Sequence, residues 1–311
     1  ERGVILLGCR QFVGGLLNVL ELERGCRRGL VAPGFEHDQV DLVFLAKSQA
    51  WLTNHVKRAP TQPFFLYHAT QAAHLPSFAA PRFQGATKAG PHGDFIAELD
   101  YVVGELLATL DQLGVADNTL VVYSGDNGTT AAATTTIGGR HINGHKGQVL
   151  EGGSRVPLIA SWPGTTPKGK VSKDIVNFTD MTATFVELAG AKLPEGFKYD
   201  SVSLAPQLRG EKGTPREWAY VQFGARWYVR EQGWKLDQSG TLYDMKDAPF
   251  KEVAVPADSK EEAAVAARQR LSAALAGLAP ASGIKDEVGD GSGRSGSKEE
   301  KKKKKAKAKG E

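Results

Sequence analysis

The 311-residue chain carries a formal net charge of +4, with 41% hydrophobic and 24% charged residues. This composition is typical of a globular protein and excludes a fibrous or wholly disordered chain. The last 14 residues contain eight lysines and three glutamates, so the other 297 residues are nearly neutral at −1, which argues against a basic nucleic-acid-binding face. We interpret the lysine-rich tail as solvated chain. Two cysteines, Cys9 and Cys26, allow one disulfide but exclude a cysteine cage, and no apolar run reaches the roughly 18 residues of a membrane span.

The N-terminal part of the chain predicts a short succession of helices and strands. Val4–Leu7 is apolar and predicts a strand, and Phe12–Leu22 predicts a helix that two glycines weaken. Asp41–Lys57 has apolar residues at approximate helical spacing and ends before a proline. Pro63–Tyr67 is a short apolar run of the kind found in buried strands.

The middle of the chain predicts an α/β layered domain. A regular apolar stripe predicts a helix with Asp94 as its N-cap and Gly114 just beyond its C-terminus. Leu120–Tyr123 and Val156–Ala160 are short, rich in β-branched residues and without polar alternation, which predicts buried parallel strands. Ile175–Leu188 predicts a second amphipathic helix. Helices alternating with such strands indicate an α/β fold.

The C-terminal part has a different character. Short aromatic-rich segments separated by turns predict an antiparallel meander, with strands at Trp218–Phe223, Trp227–Arg230, Trp234–Leu236 and Thr241–Tyr243. Ser259 and Glu262 have the spacing of a capping box for a helix that reaches Leu278. The Gly/Ser/Lys-rich residues from about Ser282 are predicted to be disordered.

Asp126 and Asn127 directly follow a predicted strand, where open α/β sheets place their ligand sites. Adjacent carboxylate and amide oxygens suit a hard divalent cation such as Ca²⁺ or Mg²⁺ rather than Zn²⁺. The alternative is a simple turn, because Asp, Asn and Gly are all turn residues.

Other candidates for chemistry are a histidine and a lysine. His74 follows the strand at Pro63–Tyr67 and could donate a proton to a leaving group, although a loop histidine is the alternative. Lys146 lies between glycines and could contact an anionic oxygen, although most lysines are simply solvated. Glu151 and Arg155 are interpreted as a tight turn with a supporting ion pair, and neither is expected to be catalytic.

The order and spacing of these elements resemble the sulfatase family of the alkaline-phosphatase-like superfamily. The matching stretches are PFFLYHATQAAHLP (63–76), GDFIAELDYVVGELLATLDQLGVADNTLVVYSGDNG (93–128), GHKGQVLEGGSRVPLIASWPG (144–164), DMTATFVELAG (180–190) and LYDMKDAP (242–249). The resemblance implies an alkaline-phosphatase-like mixed sheet between helices, incomplete at its N-terminus, with a small C-terminal antiparallel sheet plus a helix.

The resemblance also implies roles for four residues. Asp126 and Asn127 match the second pair of ligands to a single active-site divalent cation, commonly calcium. His74 matches a histidine that binds the sulfate and protonates the leaving oxygen, and Lys146 matches a lysine that contacts the sulfate near its bridging oxygen. The implied reaction is hydrolysis of a sulfate ester by a hydrated formylglycine, on a sulfated small molecule or glycan, in a periplasmic or secreted protein.

The family's nucleophile motif, C/S-x-P-x-R, is missing from these 311 residues. Cys9 is followed by Arg-Gln-Phe-Val and Cys26 by Arg-Arg-Gly-Leu, and the first serine is Ser48. We therefore expect this chain to be the C-terminal portion of a sulfatase and to be inactive by itself. Without the N-terminal strands, its sheet is expected to expose unpaired edges and apolar faces. The alternatives are a related metal-dependent phosphodiesterase or phosphonate hydrolase, because fold does not fix chemistry, or a catalytically inactive fragment.

The predicted domain organisation follows from this resemblance. It consists of a divergent segment (1–30), a partial catalytic core (31–205), an α+β subdomain (206–281) and a disordered tail (282–311).

Overall fold

The computed structural model of the chain describes residues 3–9, 36–130, 133–197 and 199–278. The strands found there are β1 (Gly3–Cys9), β2 (Phe64–Thr70), β3 (Thr119–Gly125), β4 (Thr134–Ile137), β5 (Arg140–Asn143), β6 (Leu158–Ser161), β7 (Ala219–Phe223), β8 (Arg226–Arg230), β9 (Trp234–Asp237), β10 (Leu242–Asp244) and β11 (Val253–Val255). The helices are α1 (Val40–Arg58), α2 (Gly90–Gln112), α3 (Glu151–Ser154), α4 (Asp180–Leu188), α5 (Ala205–Leu208) and α6 (Glu262–Leu278). The predicted helix Phe12–Leu22 and the predicted disordered tail lie outside the described residues.

The described residues divide into two compact units. The first unit contains the residues up to Asp126 together with Val156–Val171 and Phe178–Thr214. The second unit contains Asn127–Arg155, Ser172–Asn177 and the described residues from Pro215 onward.

The first unit is built on a four-stranded sheet in the order β2-β1-β3-β6. The strand predicted at Val4–Leu7 is confirmed: β1 lies between β2 and β3 and is parallel to both. β6 runs antiparallel to β3 at the sheet edge, where Ile159 is 59% exposed. The prediction of a buried parallel strand at Val156–Ala160 was therefore wrong. A β-branched run fits any pleated surface and does not report strand direction.

Large apolar side chains are exposed on both edge strands of this sheet. Phe65 on β2 is 54% exposed, and its ring lies 5.6 Å from that of Phe185 on α4. On β6, Ile159 is similarly exposed. Among the described residues, β2 and β6 are the edge strands of this sheet, and both carry exposed apolar side chains.

Apolar clusters cover both faces of the sheet, because successive side chains of β3 point in opposite directions. Val121 packs with residues of α1 and α2, including Leu52 and Leu106. Leu120 and Val122 point the other way, into a cluster formed with Trp162 and with residues of α4 and α5. Helices on two faces of a mostly parallel sheet confirm the predicted α/β class.

The N-terminal end of α2 differs from its prediction. The helix begins at Gly90, so Asp94 lies inside it and is not its N-cap. The Asp94 carboxylate instead accepts hydrogen bonds from the backbone N–H groups of Gly85 and Thr87 in the preceding loop, both at 2.8 Å. The C-terminal prediction is confirmed, because Gly114 adopts φ +64° directly after the last helical turn.

The second amphipathic helix of the first unit, α4, is shorter than predicted. It begins at Asp180, and Ile175 instead forms an antiparallel bridge with Arg216 within the second unit. Gly190, with φ +66°, follows the helix end as predicted.

The second unit contains a five-stranded antiparallel sheet in the order β11-β10-β9-β8-β7. This confirms the predicted meander, to which the structure adds β11. Val229, Leu236 and Leu242 pack against Ala267 and Leu271 of α6, which covers one face of the sheet. No helix in the described part of the chain is long and apolar enough to cross a membrane.

The Gly/Thr-rich stretch before Lys146 forms a β-hairpin that the sequence analysis did not predict. β4 and β5 pair around Gly138 and Gly139, whose φ values of +57° and +78° are those of a two-residue hairpin turn. Arg140 at the start of β5 binds Asp247 through two bonds of 2.7 and 2.8 Å. A Gly-Gly pair between two short strands is a recognisable hairpin signal, but each strand has only one strongly apolar residue, Ile137 or Ile142, which concealed it.

Candidate functional site

Two of the candidate residues follow parallel strands whose carboxyl ends lie on the same side of the first unit's sheet. Cys9, the last residue of β1, is in register with Thr70 of β2 on one side and Gly125 of β3 on the other. The ends of β2 and β3 are therefore separated by one strand, or about 10 Å. His74 follows β2 by four residues and Asp126 follows β3 directly. Within this unit, the parallel topology thus brings the loop that carries His74 and the residue Asp126 to the carboxyl ends of the strands.

Buried carboxylates hold the loop that carries His74. Asp41 on α1 is 2% exposed and accepts the backbone N–H groups of Gln71 at 2.6 Å and Ala72 at 2.8 Å. At the other end of the loop, Glu98 on α2 accepts the N–H of Ala80 at 2.8 Å. Both ends of the loop are therefore anchored through main-chain atoms to helices beneath the sheet.

Burial changes the proton affinity of these two carboxyl groups. Desolvation raises the pKa of Asp41 above its ordinary value, although the two N–H groups of Gln71 and Ala72 act in the opposite direction. Desolvation also raises the pKa of Glu98 to about 7, with a smaller contribution from the negative charge of Asp41. The anchors of the loop are thus groups whose charged forms are costly in the fold.

The other two candidate residues come together within the second unit. The backbone N–H of Lys146 donates to the carbonyl oxygen of Thr129 at 2.9 Å, two residues beyond Asn127. The N–H of Gly128 donates to the carbonyl of Gly153 at 3.0 Å. Asn127 and Lys146 therefore lie on adjacent segments that are joined by main-chain hydrogen bonds.

The close approach of these segments requires glycine. A Cβ on Gly128 would lie 1.9 Å from the carbonyl oxygen of Gly152, and one on Gly153 would lie 2.3 Å from that of Gln148. Such distances are far inside van der Waals contact, so any side chain would force the segments apart. The Asp-Asn-Gly and Glu-Gly-Gly motifs are thus two sides of one packed backbone arrangement.

Glu151 begins a single helical turn, α3, where a tight turn before the next strand was predicted. The predicted ion pair with Arg155 is confirmed at 3.3 Å. Glu151 is 3% exposed and also binds Arg230 of β8 at 2.5 Å, a partner that the sequence analysis missed. A buried carboxylate with two guanidinium partners is a structural anchor, because its charge is paired on both oxygens.

Further contacts attach the segment after Lys146 to the five-stranded sheet. The buried Lys235 of β9 forms an ion pair with Glu252 and donates to the carbonyl of Val149 at 3.3 Å. Glu252 in turn accepts the backbone N–H of Glu151 at 2.7 Å. Lys235 follows the aromatic Trp234 and carries no motif, so only the fold reveals its burial and its partners.

The donors at Asp126 and Asn127 are oxygens at the end of a buried strand, and this donor chemistry fits a hard divalent cation. Within the residues that the structure describes, no group of three or more His, Cys, Asp or Glu side chains could hold a metal ion. The pair would therefore supply only part of a coordination shell.

Comparison with protein families identifies two matches. The model of the family described as Sulfatase matches residues 10–191. The model described as N-sulphoglucosamine sulphohydrolase, C-terminal, matches residues 139–274. The first match starts at residue 10 and thus includes part of the segment in which the sequence analysis found no family motif.

Curated relatives include several sulfatases. N-acetylgalactosamine-6-sulfatase from Canis lupus familiaris is 36% identical over 53% of this chain and 32% of the relative. Steryl-sulfatase from Rattus norvegicus is 33% identical over 60% of this chain and 33% of the relative, and arylsulfatase A from Bos taurus is 38% identical over 50% and 30%. The chain thus spans about a third of the length of these curated relatives.

Solved structures share the fold. The PsFucS1 sulfatase from Pseudoalteromonas sp. aligns with a TM-score of 0.68 and 24% identity, covering 80% of this chain and 56% of that one. BT4656, solved with its substrate D-glucosamine-2-N,6-O-disulfate, aligns with a TM-score of 0.60 and 18% identity, covering 89% and 79%. These likenesses confirm the predicted alkaline-phosphatase-like fold, and the family match over more than half of the residues shows that the chain belongs to the sulfatase family.

Proposed function

We propose that this chain supplies part of the active site of an enzyme that hydrolyses sulfate esters. The observation that carries the proposal is the family match to the Sulfatase model, which includes all four candidate residues. Their placement supports it, because His74 and Asp126 follow parallel strands that end at one sheet edge, while Asn127 and Lys146 lie on hydrogen-bonded segments. Ligand sites of open α/β sheets lie at such edges.

In the proposed site, Asp126 and Asn127 hold one divalent cation, with Ca²⁺ as the expected ion. Both residues present hard oxygen donors, which Ca²⁺ prefers. When bound, the cation would withdraw negative charge from the sulfate oxygens. The remaining ligands and the formylglycine nucleophile would come from other residues, since no C/S-x-P-x-R motif occurs in these 311 residues.

Lys146 and His74 act on the sulfate ester itself in this proposal. The ammonium group of Lys146 contacts the sulfate near its bridging oxygen and stabilises negative charge as the S–O bond to the alcohol breaks. His74 donates a proton to that departing oxygen. The net reaction consumes one water and releases the alcohol and hydrogen sulfate.

We propose a sulfated small molecule or glycan as the substrate. Support comes from the relatives, among them N-acetylgalactosamine-6-sulfatase, and from the fold-level neighbour BT4656 with its sulfated glucosamine. We also propose that the protein acts in the periplasm or outside the cell, as the family resemblance implies.

The proposal is tested by assaying the full-length protein that carries this chain against 4-nitrophenyl sulfate and bis(4-nitrophenyl) phosphate in the presence of calcium. We expect a higher kcat/KM for the sulfate ester. A preference for the diester would replace the proposal with the phosphodiesterase alternative. If neither ester nor a set of sulfated sugars is hydrolysed, the protein is an inactive member of the family.

We further propose that the 311-residue chain is inactive by itself. It contains residues for charge stabilisation and proton donation, but no residue in the context that the family uses for its nucleophile. Turnover of 4-nitrophenyl sulfate by the isolated chain that disappears in a His74→Ala variant would contradict this.

A further inference from the structure

One face of strand β8 is directed at the segment that follows Lys146. Residues two apart on a strand share a face, and Arg226, Tyr228 and Arg230 all contact this segment. Arg226 donates from Nη2 to the carbonyl oxygen of Gly147 at 3.0 Å. The Tyr228 hydroxyl is hydrogen-bonded with Ser154 Oγ at 2.6 Å, and Arg230 binds Glu151 at 2.5 Å.

The neighbouring strand β9 extends this contact surface. Lys235 is in register with Arg230, so it lies on the same face, and it donates to the carbonyl of Val149. The opposite face carries Val229 and Leu236, which are buried against α6. The two faces of the sheet therefore have separate functions, since one packs on a helix and the other binds the segment from Gly147 to Ser154.

Main-chain atoms on both sides of Lys146 are held by hydrogen bonds. The Lys146 N–H is bonded to Thr129, and the carbonyl of the next residue, Gly147, is bonded to Arg226. Gly147 has φ +79°, and a Cβ added there would meet no atom within 4 Å. Within its own turn this peptide is held by one hydrogen bond, from the N–H of Gln148 to the carbonyl of His145 at 2.9 Å, and because glycine is conformationally permissive the contact from Arg226 restricts it further.

We propose that Arg226 and Arg230 on β8 are positioning residues for Lys146. They do not touch the substrate. Arg226 holds the carbonyl of Gly147, the residue that follows the lysine, and Arg230 holds the helical turn α3 through Glu151. A fixed backbone directs the Lys146 side chain to one region, which lowers the entropic cost of placing its charge on the sulfate. The inference rests on the proposed function for the role of the lysine.

The structural part of the inference is tested by hydrogen exchange, which does not require turnover. In the 311-residue chain, Arg226→Met removes the donor and keeps most of the apolar stem. We expect amides in residues 146–149 to exchange about fivefold faster, the factor expected for one lost hydrogen bond. Arg226→Lys can still donate to Gly147 and should restore most of the protection. Arg270→Met is the control, because it also removes an exposed arginine contact in the same unit, the ion pair with Glu231, away from residues 146–149.

The functional part is tested by a double-mutant cycle in the full-length protein, with 4-nitrophenyl sulfate as substrate. Arg226→Met should lower kcat/KM about fivefold in the wild-type background and have no effect when combined with Lys146→Ala, because a positioning residue acts through the lysine. A residue that serves only general stability would lower activity in both backgrounds.

The outcomes separate this inference from the proposed function. Unchanged exchange at 146–149 in Arg226→Met, or an equal rise in Arg270→Met, would overturn the positioning function and leave the sulfatase proposal intact. Additive effects in the cycle would do the same. Unchanged turnover in Lys146→Ala would overturn the function proposed for the lysine, and the inference with it, even where the exchange difference is observed.

Discussion

The side-chain carboxylate of Glu98, inside α2, accepts a hydrogen bond from the backbone N–H of Ala80 at 2.8 Å. Glu98 is 1% exposed, and burial raises its pKa to about 7 despite the lowering effects of this bond and of Arg82. Ala80 ends the loop that carries His74. The protonation of a buried helix residue is therefore linked to the anchoring of a candidate catalytic loop.

Replacing Glu98 by Gln should flatten the pH dependence of stability. The folded-state pKa lies above the ordinary 4.5, so the folded protein binds this proton more tightly than the unfolded chain. The resulting stabilisation is fully present below pH 4.5 and is lost as the pH rises through about 7. We expect wild type to lose about 2 kcal/mol more unfolding free energy than Glu98→Gln between pH 5 and pH 8. Urea denaturation measures this, and parallel pH profiles would contradict it.

Asp41→Ala should destabilise the first unit. The substitution leaves the N–H groups of Gln71 and Ala72 buried without an acceptor, and we expect a loss of about 2–4 kcal/mol in unfolding free energy. Asp111→Ala is the control, since Asp111 is exposed near the end of α2 and should cost less than about 0.5 kcal/mol. Equal losses in urea denaturation would show that the carboxylate of Asp41 does not anchor the loop.

Gly128→Ala and Gly104→Ala should have opposite effects on stability. The first places a methyl group 1.9 Å from the carbonyl oxygen of Gly152, whereas Gly104, exposed on α2, has open space. We expect a loss of about 1–3 kcal/mol for Gly128→Ala and a gain of about 0.5–1 kcal/mol for Gly104→Ala. Melting temperatures measured by calorimetry check the pair, and a tolerated Gly128→Ala would mean that the two motifs are not packed as described.

His74→Ala should impair the release of poor leaving groups most strongly. A proton donor contributes about 10²–10⁴-fold to an alkyl ester whose alkoxide leaves poorly, but much less to 4-nitrophenyl sulfate. The measurement is the loss of kcat on the alkyl sulfate divided by the loss of kcat on 4-nitrophenyl sulfate, both in the full-length protein. His141→Ala, at an exposed position on β5, should leave both rates unchanged. Equal losses on both esters would assign His74 to sulfate binding and not to proton donation.

The isolated chain should bind calcium weakly. In the proposed site Asp126 and Asn127 would provide two ligands where Ca²⁺ takes six to eight, so we expect a Kd of about 1 mM or weaker by calorimetry. Asp126→Ala should abolish the remaining heat, whereas Asp117→Ala, at an exposed position before β3, should not. Micromolar affinity would show that further ligands exist in the chain.

Element type was largely predictable from the sequence. The apolar stripe of α2 and the aromatic segments at β7 to β10 were located correctly, because periodicity reports which face is buried. The order of Asp126, Asn127 and Lys146 also indicated the sulfatase family, because these residues belong to contiguous motifs. The roles of the four candidate residues remain predictions.

Tertiary structure alone decided how the segments are held. Asp94 has the composition of an N-cap but binds the loop before its helix, and β6 pairs antiparallel where a parallel strand was expected. Arg226 lay just before the predicted strand Trp227–Arg230 and Arg230 was its last residue, and neither carried a functional signal, yet both contact the segment after Lys146. Hydrogen bonds between residues some 80 positions apart depend on strand register and side-chain face, which local propensity does not encode.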